Sequence, residues 1–245
     1  MQEGLTTKLG QNNFWFPGRW LGGFTMLLGP ILLLAGVVLR FPFHFFFPQQ
    51  LAAFKEYPTL MTASYSMFIA GNVLMWPAVM TLIRLISINK PNWAFWGGTF
   101  AIFGLFARAF HAGIDHLAFQ LVRIQGLEET TKSIADSYGA FHIFHTFSPA
   151  ILFGWIILAI GAYLSKTLGL LRSVSLGLMS ALPLGVLKGT TPFSVIATVG
   201  LCIAFVPLGC KVIGDGPVPS LRNLITWFLL ITVLGILFFF IGQAG

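Results

Sequence analysis

The sequence predicts an all-α protein, a polytopic transmembrane helix bundle of seven spans with its amino terminus inside and six spans as the alternative. Three observations carry this. Hydrophobic residues make up 56% of the 245-residue chain. Charged residues make up only 9%, whereas a soluble domain carries about 25%. The apolar residues are also gathered into runs of the roughly 20 residues that cross about 30 Å of hydrocarbon, and they lack the alternation of barrel strands. The same composition excludes a disordered chain, whose low hydrophobicity and dense charge prevent burial. Seven spans leave room for loops but not for a separate soluble catalytic domain. The chain is therefore read as one transmembrane domain over 1–245, multi-pass in the cell membrane, with the lipid bilayer as its first partner.

Each element follows in order. The first apolar run, about 20–41, follows Arg19 and lacks a small-residue cleavage pattern, so it is a retained span and not a signal peptide. Phe14, Trp15, Phe16 and Trp20 before it, and Phe41, Phe43, Phe45, Phe46 and Phe47 after it, suit headgroup depth. The stretch from Pro42 to Pro58 reads as an interfacial segment on the outer surface. The second span, 60–86, holds Asn72 as a polar contact and Pro77 as a kink. The third, 94–124, is stopped by Gly126, and Ser133 with Asp136 reads as a capping box opening the fourth, 134–165. The fifth, 168–187, carries Arg172 and Pro183, and a re-entrant or interfacial segment there gives the six-span alternative. The sixth and seventh are 193–212 and 222–243. Cys202 and Cys210 stand about 12 Å apart along one helix, too far to bridge, and read as packing residues.

Orientation follows from basic residues in alternate connections. Lys8, Arg19, Arg84, Lys90, Lys166, Arg172, Lys211 and Arg222 fall on one side; Arg40, Lys55, Arg123, Lys132 and Lys188 fall on the other. The richer side is inside. The net charge of +7 is scattered singly among apolar runs, so it is a topology signal and not a nucleic-acid surface.

A charge at the centre of a span costs about 2.5 to 3.5 kcal/mol, so each ionisable group there needs a reason. Four of the five histidines lie in one hairpin: Arg108, His111, Asp115 and His116 on the third span, and Tyr138, His142 and His145 on the fourth. At 100° per residue the first four occupy an arc of about 140° and the second three one of about 60°. Counting back from a turn near residue 129 puts His111 level with His145 and His116 level with His142, two facing tiers roughly 10 to 20 Å below the outer end.

Facing imidazoles with a carboxylate suit a transition metal (Fe, Zn or Cu) or haem. His111, His116, His142 and His145 are the expected ligands, with Asp115 a ligand or a base. Arg108 would hold an anion or a propionate, and Tyr138 would donate a proton at the mouth. His44 lies on the same side and could act as a lid. Structural pairing of His111 with Asp115, four residues apart, is the bland alternative.

The spacing His111-x4-His116 and His142-x2-His145 resembles the first two histidine boxes of membrane fatty-acid desaturases and hydroxylases. The resemblance covers these four residues, and the third box of that family is absent, so its activity is not carried over. No Gly-x-Ser-x-Gly, phosphate-binding Gly-x4-Gly-Lys-Ser/Thr or Gly-x-Gly-x-x-Gly motif is present. The leading expectation is a metal- or haem-binding membrane enzyme doing redox or metal-assisted chemistry on a small apolar or interfacial substrate. The alternatives are a transporter, permease subunit or immunity-type protein using the cluster as a substrate site or proton relay, and a non-catalytic assembly subunit with a membrane-protein partner or a second copy.

Overall fold

The computed structural model describes residues 15–140 and 142–244. Lys8 and Phe14, which enter the reading of charge and headgroup anchoring, lie outside them. No strand occurs among the described residues. The helices are α1 (Gly18–Leu39), α2 (Phe47–Glu56), α3 (Pro58–Ser87), α4 (Pro91–Gln125), α5 (Leu127–Ser137), α6 (Phe144–Leu164), α7 (Leu170–Gly177), α8 (Pro192–Gly214) and α9 (Leu221–Ala244), with a 3-10 turn at Leu178–Ala181. Prolines open α3, α4 and α8 at the first turn, where the missing N–H would have no helical partner.

Among the described residues, five helices are long and apolar enough to cross a membrane: α1, α3, α6, α8 and α9. Their outward faces carry large apolar side chains, such as Leu21, Phe24, Leu28 and Ile31 on α1 and Leu152, Phe153 and Ile156 on α6, as contact with lipid requires. The chain is accordingly a multi-pass membrane protein. α4 is longer still at 35 residues, but its second half carries Arg108, His111, Asp115, His116 and Arg123.

Residues as far as Ile213 form one compact unit, and those from Gly214 form a second that contains α9. In the first unit the helices meet through small residues. α1 approaches α3 at Gly36 and Gly71, and α4 approaches α6 at Gly104 and Gly154. α1 also meets α8 where Gly23 faces Gly209. Without a hydrophobic force between helices in lipid, close backbone approach is what binds them. The core between them includes Met26, Leu33, Met75, Leu82, Leu105, Trp155, Leu158 and Phe205.

Two stretches differ from the sequence expectation. The fourth run is not one helix from 134 to 165: α5 is a separate amphipathic helix, the chain leaves helical geometry after Ser137, and α6 begins at Phe144. Gly126 does end α4, with φ of 90°, but Ser133 lies inside α5 and its hydroxyl donates to the Glu129 carbonyl. The 168–187 run is not a continuous span either. It forms α7, the 3-10 turn and then a non-helical loop that reaches Pro192. Leu182, Leu187, Gly189 and Thr190 of this loop are buried and the rest half-buried, and irregular backbone at membrane depth is tolerated where protein covers it and its polar groups find partners. Thr190 donates to the Val37 carbonyl at 2.9 Å, and the Gly189 N–H donates to the Phe45 carbonyl at 2.8 Å.

The segment from Pro42 to Pro58 contains α2, whose buried face is Gln50, Leu51, Ala53 and Phe54. Leu51, Ala53 and Phe54 join Met61, Phe119, Val122, Ile134 and Leu187 in a second apolar cluster. Phe54 stacks on Phe119 with centroids 4.3 Å apart.

Asn72 is buried on α3 and its amide donates to the Leu105 carbonyl of α4 at 3.1 Å, while Oδ1 has no partner among the described residues. Interhelical hydrogen bonds in membranes average about 0.6 kcal/mol, and the bare Oδ1 offsets part of that. Asn72→Leu should therefore change unfolding free energy in detergent by less than about 1 kcal/mol. A loss above about 2 kcal/mol would show that Asn72 does more than tie the two helices.

Candidate functional site

The polar residues of α4 meet the two irregular stretches. Arg108 is 5% exposed, and its Nη1 and Nη2 donate to the carbonyls of Pro183 and Leu182, each at 2.9 Å. About two helical turns further on, Asp115 is also buried, and its Oδ1 accepts the N–H of Leu187. A guanidinium and a carboxylate on one helix face thus pin the loop that follows the 3-10 turn. Leu187 itself holds a left-handed φ of 49°. That conformation costs a side chain about 1 to 2 kcal/mol, and the hydrogen bond from its N–H to Asp115 helps to hold it there.

The histidines divide. His111 is buried, and its ring lies 5.7 Å from that of His142. His142 in turn stacks on His145 at 4.1 Å with the planes 27° apart. Phe110 completes the contact between α4 and the start of α6, its ring 4.8 Å from His142 and 4.5 Å from Phe144. His116 does not join them. It is exposed and lines a separate groove of about 250 Å³ with Thr62, Gln120 and Arg123. The five-residue step from His111 turns it about 140° around the helix. The two facing tiers are therefore replaced by one group of three imidazoles, because the break before α6 changes which residues are level.

His111, His142 and His145 line a pocket of about 470 Å³ together with Tyr138, Ser148 and Lys188. Its remaining wall is largely apolar, with Ile114, Ile134, Leu184 and Val186. Tyr138 stacks on Phe47 at 5.3 Å. The Lys188 ammonium lies 5.5 Å from the Tyr138 ring and 5.3 Å from that of Phe45. His44 is exposed and is not part of this wall; its carbonyl accepts the Gln50 side-chain amide.

As a metal centre the arrangement has a geometric obstacle. A metal lies in the plane of each imidazole that ligates it, and two rings stacked at 4.1 Å with planes 27° apart do not share a point in both planes at ligand distance. Among the described residues, no group of three or more His, Cys, Asp or Glu side chains is placed to hold a metal ion. Two nitrogens are nonetheless unspent: Nδ1 of His111 and Nδ1 of His142 are buried without a hydrogen-bond partner among those residues.

A second, smaller cavity of about 30 Å³ adjoins the pocket and shares His111, Leu184, Gly185 and Lys188 with it. Its walls include Arg108 and Asp115, and also Arg40, which the sequence reading assigns to topology. Arg40 is 5% exposed and lies over the rings of Phe68 and Tyr65 at 4.4 and 4.6 Å. One signal in the sequence points to its burial. Arg40 is followed directly by Phe-Pro-Phe-His-Phe-Phe-Phe, which offers a long cation no polar route out of the membrane. Lys188 carries no comparable signal, since only the return of the loop brings it to the site.

Asp136 is exposed on α5 and takes no part in either cavity. Comparison with known proteins gives no relative: no family model, no curated protein and no solved structure matches the chain.

Proposed function

We propose that this protein is a transporter or permease-type protein of the cell membrane, amino terminus inside, which takes a small substrate into the histidine pocket. The observation that carries this is the broken segment after α7. It offers the Leu182 and Pro183 carbonyls and the Leu187 N–H to Arg108 and Asp115, beside a pocket of about 470 Å³. Discontinuous segments whose unwound backbone faces a polar site are how transporters hold substrate within a bilayer. Segments of this kind also let one part of a bundle rock against another. A metal or haem enzyme draws on the unspent Nδ1 atoms of His111 and His142, but it needs the stacked pair to rotate apart.

The test uses the full chain in proteoliposomes on a solid support, challenged with alanine, glutamate, lactate, glucose and choline. Current or uptake is expected for at least one of them, and His111→Ala should reduce it at least about tenfold, the effect of removing one charge-assisted or buried hydrogen bond. Stoichiometric Fe, Zn or Cu, or a Soret band, present in the purified protein and lost in His145→Ala, would put the enzyme reading in its place.

A further inference from the structure

We infer that the 30 Å³ cavity beside the histidine pocket is an anion site, built to receive the acid group of an apolar molecule. Three cationic side chains, Arg40, Arg108 and Lys188, stand in its wall against one carboxylate, Asp115. Arg108 spends two nitrogens on backbone carbonyls and Asp115 spends an oxygen on a backbone N–H. Arg40 is different. Its Nε and Nη1 are buried and have no hydrogen-bond partner among the described residues, and the residue as a whole is only 5% exposed. Ring faces from Tyr65 and Phe68 offset part of the charge. They accept nothing in the plane of the guanidinium, where its N–H bonds point. Asp115 is one carboxylate against three cations, and buried charge in excess of its counter-charge is among the most costly arrangements in a protein. A compact anion in the cavity would supply both the charge and the acceptors.

Size narrows the class. A cavity of about 30 Å³ takes one carboxylate or one halide and not a whole organic molecule. The adjoining pocket of about 470 Å³ is walled mostly by Ile114, Ile134, Leu184 and Val186. A ligand that puts its acid on Arg40 and its apolar body among these residues uses both spaces. This deepens the transport reading and rests on it for the purpose of the pocket. Binding stands or falls separately, because it is measured on protein that need move nothing.

Full-length protein in nanodiscs is titrated calorimetrically, and its melting is followed, with hexanoate, hexanol, acetate, chloride and inorganic phosphate. Hexanoate should bind and raise Tm, with hexanol weaker by about tenfold or more. Acetate weaker than hexanoate assigns the site to the head of an apolar acid. Chloride, acetate or phosphate binding as tightly as hexanoate assigns it to a free anion, which keeps the anion site and removes the tail. Arg40→Met should weaken hexanoate about tenfold or more while the protein stays monodisperse. Arg40→Lys, which keeps the charge and loses the fork, should fall between the two and serves if the methionine variant does not fold. The inference is overturned if none of the anions binds, or if hexanoate binds the Arg40 variants as tightly as the parent. Binding without flux would retain the site and sink only the transport reading.

Discussion

Gly154→Leu is expected to unfold the protein or to lower its Tm in detergent by about 10 °C or more, the equivalent of roughly 3 to 5 kcal/mol for a chain of this size. A Cβ at Gly154 would lie 2.4 Å from the Ala101 nitrogen and 2.8 Å from its Cα, and one at Gly104 would lie 2.5 Å from the Ile151 Cα. These neighbours are backbone, so no rotamer change relieves the clash; α4 and α6 must move apart. That separation would also carry His111 away from His142 and His145, so hexanoate binding should fall with stability. Gly113, on the facing helix α4, is the control. Nothing lies within 4 Å of a Cβ there, and Gly113→Ala should be neutral or stabilise by up to about 1 kcal/mol through helix propensity. Equal damage from both substitutions would refute the close-approach account.

How much of this was legible beforehand depends on whether the cause was local. Hydropathy alone gave the membrane class and the bounds of four of the seven predicted runs, since α1, α3, α8 and α9 match them within a few residues. Gly126 marked the end of α4 because glycine takes its φ of 90° without the Cβ penalty. The helical spacing of Arg108, His111 and Asp115 placed them together, and the structure finds all three buried in one cavity wall. What failed was non-local. Residues 138–143 hold no proline and no charge to mark a break, although α5 is polar and α6 apolar, and the register built on a continuous hairpin matched His116 with the wrong partners. Arg40 and Lys188 sit at the ends of apolar runs, as topology charges do. They become part of the site only because the loop from Leu182 to Thr191 folds back onto α1 and the segment before α2.

Asp115→Ala is expected to cost about 3 to 5 kcal/mol, the usual result of removing one member from a buried charged group. Two losses combine. The Leu187 N–H, now bound to Oδ1, is left buried without an acceptor, at about 1 to 3 kcal/mol. Arg40, Arg108 and Lys188 are also left in one wall with no carboxylate opposite. Thermal melting in detergent should therefore show a fall of roughly 6 to 20 °C. The two causes separate in a double-mutant cycle. Adding Arg40→Met to Asp115→Ala should restore part of the loss, because it removes a cation that no longer has a counter-charge, whereas the Leu187 N–H stays unpaired in both. A coupling of at least about 1 kcal/mol is expected for groups sharing one cavity. Strict additivity would mean that Asp115 only anchors the loop and does not compensate Arg40. In that case the anion would have to balance Arg40 alone, and hexanoate should stabilise Asp115→Ala no more than the parent. If the carboxylate does compensate Arg40, its removal leaves a stronger field for an external acid, and hexanoate should raise the Tm of Asp115→Ala by more than it raises that of the parent.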